Sequence, residues 1–210
     1  MLLRRNRTSS KYIFYALHLY FSGLSLRKTS KCLSEFVRRN HVSIWNWIQH
    51  YKPEKMFHTK RRIYEFIVDE TLIKVGGEFV WLWIASEPKD KTILGIHISY
   101  ERSMLIAEHF IHSLVKKYGK HPVSTDGGTW YPSQACRFLK LQHHIHSLYE
   151  KSIIERTIQY VKDRTESFDD YFPCRKEREE GRRCKLQHIT NWFNLFIHMH
   201  NRMITCHSVK

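Results

Sequence analysis

Apolar residues in the first fifty positions recur at intervals of three and four, the spacing that places them on one face of a helix. The pattern predicts a helix from Ser10 to Tyr20, broken by Ser22-Gly23, and a second helix that begins after a Ser25 cap. A third helix is predicted from Ser43 to Tyr51, where Lys52-Pro53 ends it. The predicted apolar faces are Tyr12, Ile13, Ala16, Leu17 and Tyr20, then Leu26, Leu33, Phe36 and Val37, then Ile44, Trp47, Ile48 and Tyr51.

The hydrophobic pattern changes after a charged linker at residues 53–62. The next segments are rich in Ile, Val, Phe and Trp and are separated by turn residues, which is typical of an antiparallel meander. The predicted elements are a strand from Tyr64 to Lys74, a hairpin turn at Gly76-Gly77, a strand from Glu78 to Ser86, a turn from Glu87 to Lys91, and a strand from Thr92 to Ser99.

Helices and short strands alternate in the second half of the chain. The predicted elements are an amphipathic helix from Ser103 to Lys117 with Leu105, Ile106, Phe110 and Leu114 on one side, a strand from His121 to Thr125, a helix from Tyr131 to Leu139, a strand from Gln142 to His146, a helix from Lys151 to Glu166, and a final helix from Lys185 to His200. This order indicates an α/β, ribonuclease-H-like core with a mixed five-stranded sheet and flanking helices, preceded by a small all-α module.

The charge distribution divides the chain at about residue 62. The 210 residues carry a formal charge of +15, and residues 1–62 contribute 14 Lys and Arg against only Glu35 and Glu54. Such a basic segment favours a polyanionic partner, either nucleic acid or an acidic membrane surface. We therefore expect a basic helix-turn-helix module with its linker at 1–62 and the α/β domain at 63–210.

Compartment and membrane association are also constrained by the sequence. No apolar run has the length of a transmembrane helix, and the first residues lack a secretory signal. Five cysteines without a CxxC pair favour reduced thiols. These features predict a cytoplasmic protein without a membrane partner.

Polar residues of the third helix are candidates for reading DNA bases. Asn46 and Gln49 lie opposite its apolar face, and amide side chains suit the adenine edge in the major groove. Further contacts to double-stranded DNA are expected from nearby basic residues: Arg27, Lys28, Lys31, Arg38, Arg39 and His50. The alternative interpretation is that these residues are only the solvated side of a small bundle.

Carboxylates follow two of the apolar runs. Asp69 ends Ile67-Val68, Asp126 follows a short strand, and Glu155 lies on a later helix. Parallel neighbouring strands would bring two such strand ends together, and a flanking helix would supply the third acid. Carboxylates in this arrangement can hold two Mg²⁺ ions about 4 Å apart for phosphodiester chemistry. Alternatively, each acid is a turn former or a helix cap.

Neighbouring residues leave the composition of this site open. Glu70 adjoins Asp69, but strand alternation directs it to the opposite face. Glu150 competes with Glu155 as the third acid. Lys162 follows Glu155 by seven positions, or two helical turns, with Gln159 between them on a face that is either functional or simply solvated.

Three histidines stand in the strand that precedes this helix. Strand alternation places His143 on one face and His144 and His146 on the other, so we expect structural or DNA-proximal roles for them rather than metal binding. Gly127-Gly128, after Asp126, would let a substrate backbone approach closely.

Three blocks of sequence resemble the DDE transposases of the insertion-sequence six family, within the retroviral-integrase superfamily. The first runs from Asp69 to Trp83, the second from Thr125 to Pro132, and the third is Ile153-Ile154-Glu155-Arg156 followed by Lys162. The resemblance covers about residues 10–200. It implies that Asp69, Asp126 and Glu155 bind Mg²⁺ or Mn²⁺ and that Lys162 contacts DNA or supports the transition state.

The resemblance also implies a reaction and an assembly. Members are expected to cleave element ends, to join the freed 3′-hydroxyls to target DNA, and to act as multimers in a prokaryotic cell, often leaving a cointegrate. Only 28 residues separate Asp126 from Glu155, fewer than expected for the family. Two other interpretations stay open: a DNA-binding remnant or repressor with a dead core, and a ribonuclease-H-like nuclease without strand transfer.

Overall fold

A computed structural model of the protein describes residues 8–50, 63–75, 78–127, 132–166 and 186–207. The predicted linker, the Gly76-Gly77 hairpin, Gly128 and Tyr51 lie outside these ranges. The elements are α1 (Ser10–Phe21), α2 (Leu26–Leu33), α3 (His41–His50), β1 (Phe66–Val75), β2 (Glu78–Ser86), β3 (Ile93–Ser99), α4 (Met104–Tyr118), β4 (Val123–Thr125), α5 (Pro132–Phe138), β5 (His143–Ile145), α6 (Leu148–Glu166) and α7 (Leu186–His207).

Side-chain caps set the starts of the N-terminal helices. The Ser25 side chain accepts a hydrogen bond from the Lys28 backbone N–H at 3.2 Å, as the sequence predicts for the start of α2. The Asn40 side chain accepts from the Ser43 N–H at 2.9 Å, and α3 therefore begins at His41, two residues earlier than predicted.

The prediction for Phe36 is wrong. α2 ends at Leu33, so Phe36 leaves the helical face that it was expected to share with Leu26, and it is 61% exposed. Its ring instead lies against Tyr12 and Tyr15, with centroid distances of 6.2 and 5.7 Å.

The sheet has the strand order β3-β2-β1-β4-β5. β1 pairs antiparallel with β2 and parallel with β4, β2 pairs antiparallel with β3, and β4 pairs parallel with β5. This mixed five-stranded sheet, with helices following the third, fourth and fifth strands, confirms the predicted α/β, ribonuclease-H-like fold. Two helices are longer than predicted, since α6 begins at Leu148 and α7 continues to His207.

Alternate residues of β1 bury their side chains in different apolar cores. Phe66 and Val68 belong to the core that includes Phe110 of α4. Ile67 belongs to the core on the other face, which includes residues of α6 and α7. The face predicted for α4 is partly wrong, because Leu105 is 74% exposed while Ala107, Phe110, Ile111 and Leu114 are buried.

The N-terminal helices share a core with the rest of the protein. The Phe21 ring of α1 lies 5.4 Å from the Trp192 ring and 6.2 Å from the Phe196 ring of α7. The Tyr160 hydroxyl of α6 donates to the Phe21 carbonyl at 3.2 Å. The domain boundary predicted at residue 62 stays a prediction. Apolar side chains from the two sides of that boundary pack into one core. In the described ranges, no helix is long and apolar enough to cross a membrane.

Candidate active site

Parallel pairing between β1 and β4 brings two of the predicted acids together. Phe66 is opposite Val123, and Ile67 is opposite Ser124. Continuing this register by two residues places Asp69 beside Asp126, on the face that carries Ile67. One part of the prediction is wrong: Asp69 is not at a strand end, because β1 continues to Val75 in its antiparallel pairing with β2.

Asp69 lies in an environment that disfavours its negative charge. Burial is the main reason why the pKa of Asp69 is raised to about 6, and the charges of Asp126 and Glu155 act in the same direction. The backbone N–H of Glu70, which donates to the Asp69 carboxylate at 2.8 Å, acts against this rise. Asp126 and Glu155 are thus both near enough for their charges to act on Asp69.

Glu155 reaches the site from α6, the helix that packs on β1 and β2. Glu155 is exposed, and the Lys151 ammonium lies 3.9 Å from its carboxylate. Such an exposed pair is worth little in stability and leaves the carboxylate available to a cation. Asp126 is also exposed, so two of the three acids face solvent.

Lys162 lies two turns after Glu155 on α6 and is half-buried. The Gln159 amide between them donates to the Asp163 carboxylate at 2.7 Å. The role of Lys162 stays a prediction that rests on its position.

Glu70 has a partner on the opposite side of the sheet from Asp69, as strand alternation predicts. Its buried carboxylate forms an ion pair with Arg102, whose guanidinium lies 5.1 Å from the centre of the Trp81 ring. Burial nevertheless raises the pKa of Glu70 to about 7. Arg102 also lowers the pKa of Asp69, so it places positive charge behind the carboxylates. No sequence pattern pointed to Arg102, because the pair joins two elements.

Hydrogen bonds distinguish the two candidate glutamates. The Glu150 carboxylate accepts from the Ser147 N–H at 2.6 Å, and the Ser147 hydroxyl accepts from the Glu150 N–H at 3.3 Å. This reciprocal arrangement is a capping box at the start of α6. Although burial raises it, the Ser147 hydrogen bonds lower the pKa of Glu150 to about 2. Glu150 Oε2 thus caps the helix start and Oε1 lies 3.2 Å from His144 Nε2, whereas Glu155 is the glutamate of α6 whose charge raises the pKa of Asp69. These contacts favour Glu155 as the third acid.

The turn after β4 positions Asp126. Gly127 has a φ of +83°, a conformation that side chains rarely adopt, so the turn itself requires glycine here. The Thr125 hydroxyl accepts from the Gly127 N–H at 3.4 Å and is 2.8 Å from His143 Nε2. His146 Nδ1 lies 3.1 Å from the Ser124 hydroxyl. These contacts place His143 and His146 on opposite faces of the sheet, as alternation predicts, and their structural or DNA-proximal role stays a prediction.

The carboxylates suit a hard divalent cation. Asp69, Asp126 and Glu155 provide only oxygen donors, the ligand type that Mg²⁺ and Mn²⁺ prefer. Burial, and to a lesser extent the charges of Asp126 and Glu155, raise the pKa of Asp69, and bound positive charge would stabilise its ionised form. The exposure of Asp126 and Glu155 leaves room for water and phosphate ligands.

The residues predicted to contact DNA lie mainly on the surface of the N-terminal helices. Arg27, Lys28, Lys31, Arg38, Asn46 and His50 are exposed, and Gln49 is half-buried. Two of the predicted contacts make internal hydrogen bonds. Arg39 Nε donates to Thr8 Oγ1 at 2.7 Å, and His50 Nδ1 lies 2.8 Å from the Asn46 carbonyl oxygen. DNA contact by this set stays a prediction.

Comparison with known proteins assigns the family. The model of a family described as a DDE domain matches residues 64–191. A protein of Methanocaldococcus jannaschii without an assigned function is 31% identical over 95% of this chain and 90% of its own length. The transposase for the insertion sequence-like element IS431mec of Staphylococcus aureus is 30% identical over 67% of each chain. A second transposase of that species, for element IS257 in transposon Tn4003, is 29% identical over 68% of each chain.

The chain therefore belongs to the DDE-domain family. Within that family, its relatives identify it as a transposase of the insertion-sequence six group. Among solved structures, the magnesium complex of the HTLV-2 integrase catalytic core is 16% identical, with a TM-score of 0.40 over 48% of this chain and 67% of that chain. The simian T-cell lymphotropic virus intasome is 15% identical, with a TM-score of 0.47 over 84% of this chain and 67% of that chain.

Proposed function

We propose that this protein cleaves DNA at the ends of an insertion sequence and joins the freed 3′-hydroxyls to target DNA. Asp69, Asp126 and Glu155 would hold two divalent cations, Mg²⁺ or Mn²⁺. The observation that carries this proposal is the β1–β4 register, which sets Asp69 beside Asp126 on the face of the sheet covered by α6. Bound cations would make a water or a DNA hydroxyl nucleophilic and would stabilise the leaving oxygen.

The side chains of the site have different parts in this reaction. Asp69 is partly buried and is oriented by the Glu70 N–H, so it provides the fixed ligand. Asp126 and Glu155 are exposed and face the incoming DNA, with Gly127 holding the turn. Lys162, further along α6, is placed to contact a phosphate of the same DNA strand, where its charge would offset that of the transition state.

DNA would be held chiefly by the N-terminal helices. Arg27, Lys28 and Lys31 of α2 and Arg38 offer exposed positive charge for phosphates, and Asn46 and Gln49 lie on the outer side of α3 for base edges. Joining two element ends in one event requires two active sites, so we propose a homo-oligomer assembled on DNA. The substrate would be double-stranded chromosomal DNA in a prokaryotic cytoplasm.

The proposal is tested with duplex DNA that carries the terminal repeats flanking the element, labelled at the end to be cleaved. The wild-type protein with Mg²⁺ should produce nicked ends and then joined products, whereas Asp69→Asn and Asp126→Asn should produce neither while still binding the ends. Nicked DNA without joined products would identify a nuclease, and binding without cleavage would identify a dead core. Joining by either Asn variant would refute the carboxylate assignment.

A further inference from the structure

A second group of metal-ligating side chains lies on the sheet face that α6 covers. Glu65 just before β1, His144 of β5 and Glu150 of α6 each direct one ligand atom to a common point, and these atoms lie within 4.8 Å of one another. His144 Nε2 is 3.2 Å from Glu65 Oε1 and 3.2 Å from Glu150 Oε1. Three separate elements therefore supply one nitrogen and two carboxylate oxygens.

Two of the three separations between these atoms match those of a tetrahedral metal centre, and the third is below 4.8 Å. Zn²⁺ binds nitrogen and oxygen at about 2.0–2.2 Å, so its ligand atoms are separated by roughly 3.3–3.5 Å in a tetrahedron. The two distances from His144 Nε2, at 3.2 Å, lie close to this separation. An ion at the common point would reach all three ligands with only small movements of the side chains.

Two carboxylate oxygens of this group share one imidazole nitrogen. His144 Nε2 lies 3.2 Å from both Glu150 Oε1 and Glu65 Oε1, and its single proton can serve only one of them. When it is donated to Glu150, the buried Glu65 Oε1 has no hydrogen-bond donor. In the described part of the chain, neither Glu65 nor Glu150 forms an ion pair with a Lys or Arg. Burying an unpaired acceptor beside a second carboxylate is costly, and a cation at this point would satisfy both.

Glu150 is held in the orientation that a ligand needs. Its side chain is only 10% exposed, and Oε2 accepts from the Ser147 N–H, which leaves Oε1 directed at His144. Such support of a ligand by a further hydrogen bond is common at metal sites. His144 is 47% exposed and provides a path for an ion from solvent.

We propose that Glu65, His144 and Glu150 bind one divalent transition-metal ion of the Zn²⁺ class. The site is separate from the three catalytic carboxylates, since Glu65 precedes Asp69 by four residues, or about 13 Å along a strand. Glu150 and Glu155 are five residues apart and point in different directions from the helix. The imidazole ligand favours Zn²⁺ over Mg²⁺, which prefers oxygen ligands in an octahedral arrangement.

The ion would fasten the start of α6 to β1 and β5. Because Glu155 lies on the same helix, this attachment would fix the position of the third catalytic acid relative to Asp69. The proposal does not depend on transposition, and its test measures metal binding and unfolding.

The test is thermal unfolding of the metal-free, full-length protein with Zn²⁺ added. With Zn²⁺ about a hundredfold above its dissociation constant, we expect the unfolding temperature to rise by about 5–10 °C. Glu65→Gln and His144→Ala should lose this rise, and equilibrium dialysis should find one bound Zn²⁺ fewer. Glu65→Gln removes one of two facing carboxylates and should fold at least as stably as the wild type without metal.

Matched controls come from the catalytic acids. Asp69→Asn and Glu155→Gln should keep the full rise with Zn²⁺, and Mg²⁺ at the same concentration should not substitute for Zn²⁺ in these two variants. The proposal is overturned if the wild type shows no rise, if Glu65→Gln and His144→Ala keep it, or if the two control variants lose it as well. Failure of this test would leave cleavage and joining by the catalytic carboxylates unaffected.

Discussion

Asp69 of β1 and Asp126, the residue that follows β4, come at matching positions of two parallel-paired segments. Ile67 of β1 is paired with Ser124 of β4, and each aspartate comes two residues later on the same face. The two aspartates are far apart in the sequence, and they come together because β1 and β4 pair in this particular register. A shift of that register by one residue would direct one aspartate to the opposite face of the sheet.

The two glutamates of α6 should respond differently to substitution. Glu155→Gln should reduce cleavage by more than about a hundredfold, because even changes behind metal ligands cost about 10–100-fold. Its unfolding temperature should not change, since Glu155 is exposed. In the metal-free protein, Glu150→Ala should instead lower the free energy of unfolding by about 1–2 kcal/mol through loss of the capping box. With Mg²⁺ it should lose much less cleavage than Glu155→Gln at temperatures where it is folded.

Asp163→Asn is the matched control for this pair, as Asp163 is an exposed acid on the same helix. It should behave as the wild type in both assays. An inactive Glu150→Ala together with an active Glu155→Gln would exchange the two assignments.

Asp69 should make the stability of the metal-free protein depend on pH. Its pKa is about 6 in the folded protein and lower in the unfolded chain, so its contribution is fully present below about pH 4 and is lost as the pH rises through 6. Between pH 4 and 7, the wild type should lose about 2–3 kcal/mol relative to Asp69→Asn. Urea unfolding of both proteins across this range measures the difference.

Added Mg²⁺ at pH 7 should restore the lost stability in the wild type but not in Asp69→Asn. If the unfolding free energies of the two metal-free proteins changed with pH in the same way, the pKa of Asp69 would not be raised by burial and neighbouring charge.

Gly127 should tolerate substitution poorly. Its φ of +83° costs other residues about 1–2 kcal/mol, and a Cβ atom there would lie 3.3 Å from the Ile145 side chain. Gly127→Ala should lower the unfolding free energy by about that amount, and it should reduce cleavage further because Asp126 is displaced. Gly127→Asn should lose less stability, since Asn adopts positive φ more readily. Equal stability of Gly127→Ala and the wild type would contradict this role.

Substitutions in the N-terminal helices should separate base reading from phosphate binding. Asn46→Ala or Gln49→Ala should weaken binding to the element ends by about 1–3 kcal/mol and leave binding to unrelated DNA unchanged. Lys28→Ala and Lys31→Ala should weaken binding to the element ends and to unrelated DNA equally. Each should reduce the slope of log affinity against log salt concentration by about one. Fluorescence anisotropy with specific and scrambled duplexes measures both effects.

The whole interface should be strongly salt-dependent. If about six phosphates are neutralised, affinity should fall roughly a thousandfold between 50 and 200 mM salt. A flat salt response would contradict DNA binding by the basic helices. Deletion of residues 1–62 is a weaker test, because it would expose Trp192 and Phe196 where Phe21 packs.

Local patterns predicted most of the fold. Ser25 caps α2 as the sequence indicates, and the hydrophobic runs predict all five strands in the right order. These features depend on residues that are close in sequence, where side-chain period and capping act directly. Predictions failed where a helix ended earlier than its pattern, as at Phe36, or where apolar residues flank a helix on its exposed side, as at Leu105.

The candidate histidines show the limit of such patterns. Strand alternation correctly separated His143 from His144 and His146, and it argued against metal binding by the group. It could not reveal that Glu65, 79 residues before His144, would approach the same imidazole. Contacts of this kind depend on the order and register of the strands, and the spacing of hydrophobic residues along the sequence does not predict either.

The sequence by itself determined the elements, the basic N-terminal segment, and the three acids Asp69, Asp126 and Glu155 in their order along the chain. Local spacing and charge suffice for these, because they are properties of neighbouring residues. Only the tertiary structure decided that Glu150 caps α6, that Arg102 pairs with Glu70 on the face of the sheet opposite Asp69, and that the helices at both ends of the chain share one core. Those relationships arise from packing between distant segments, where burial and hydrogen bonding select one partner from several that the sequence allows.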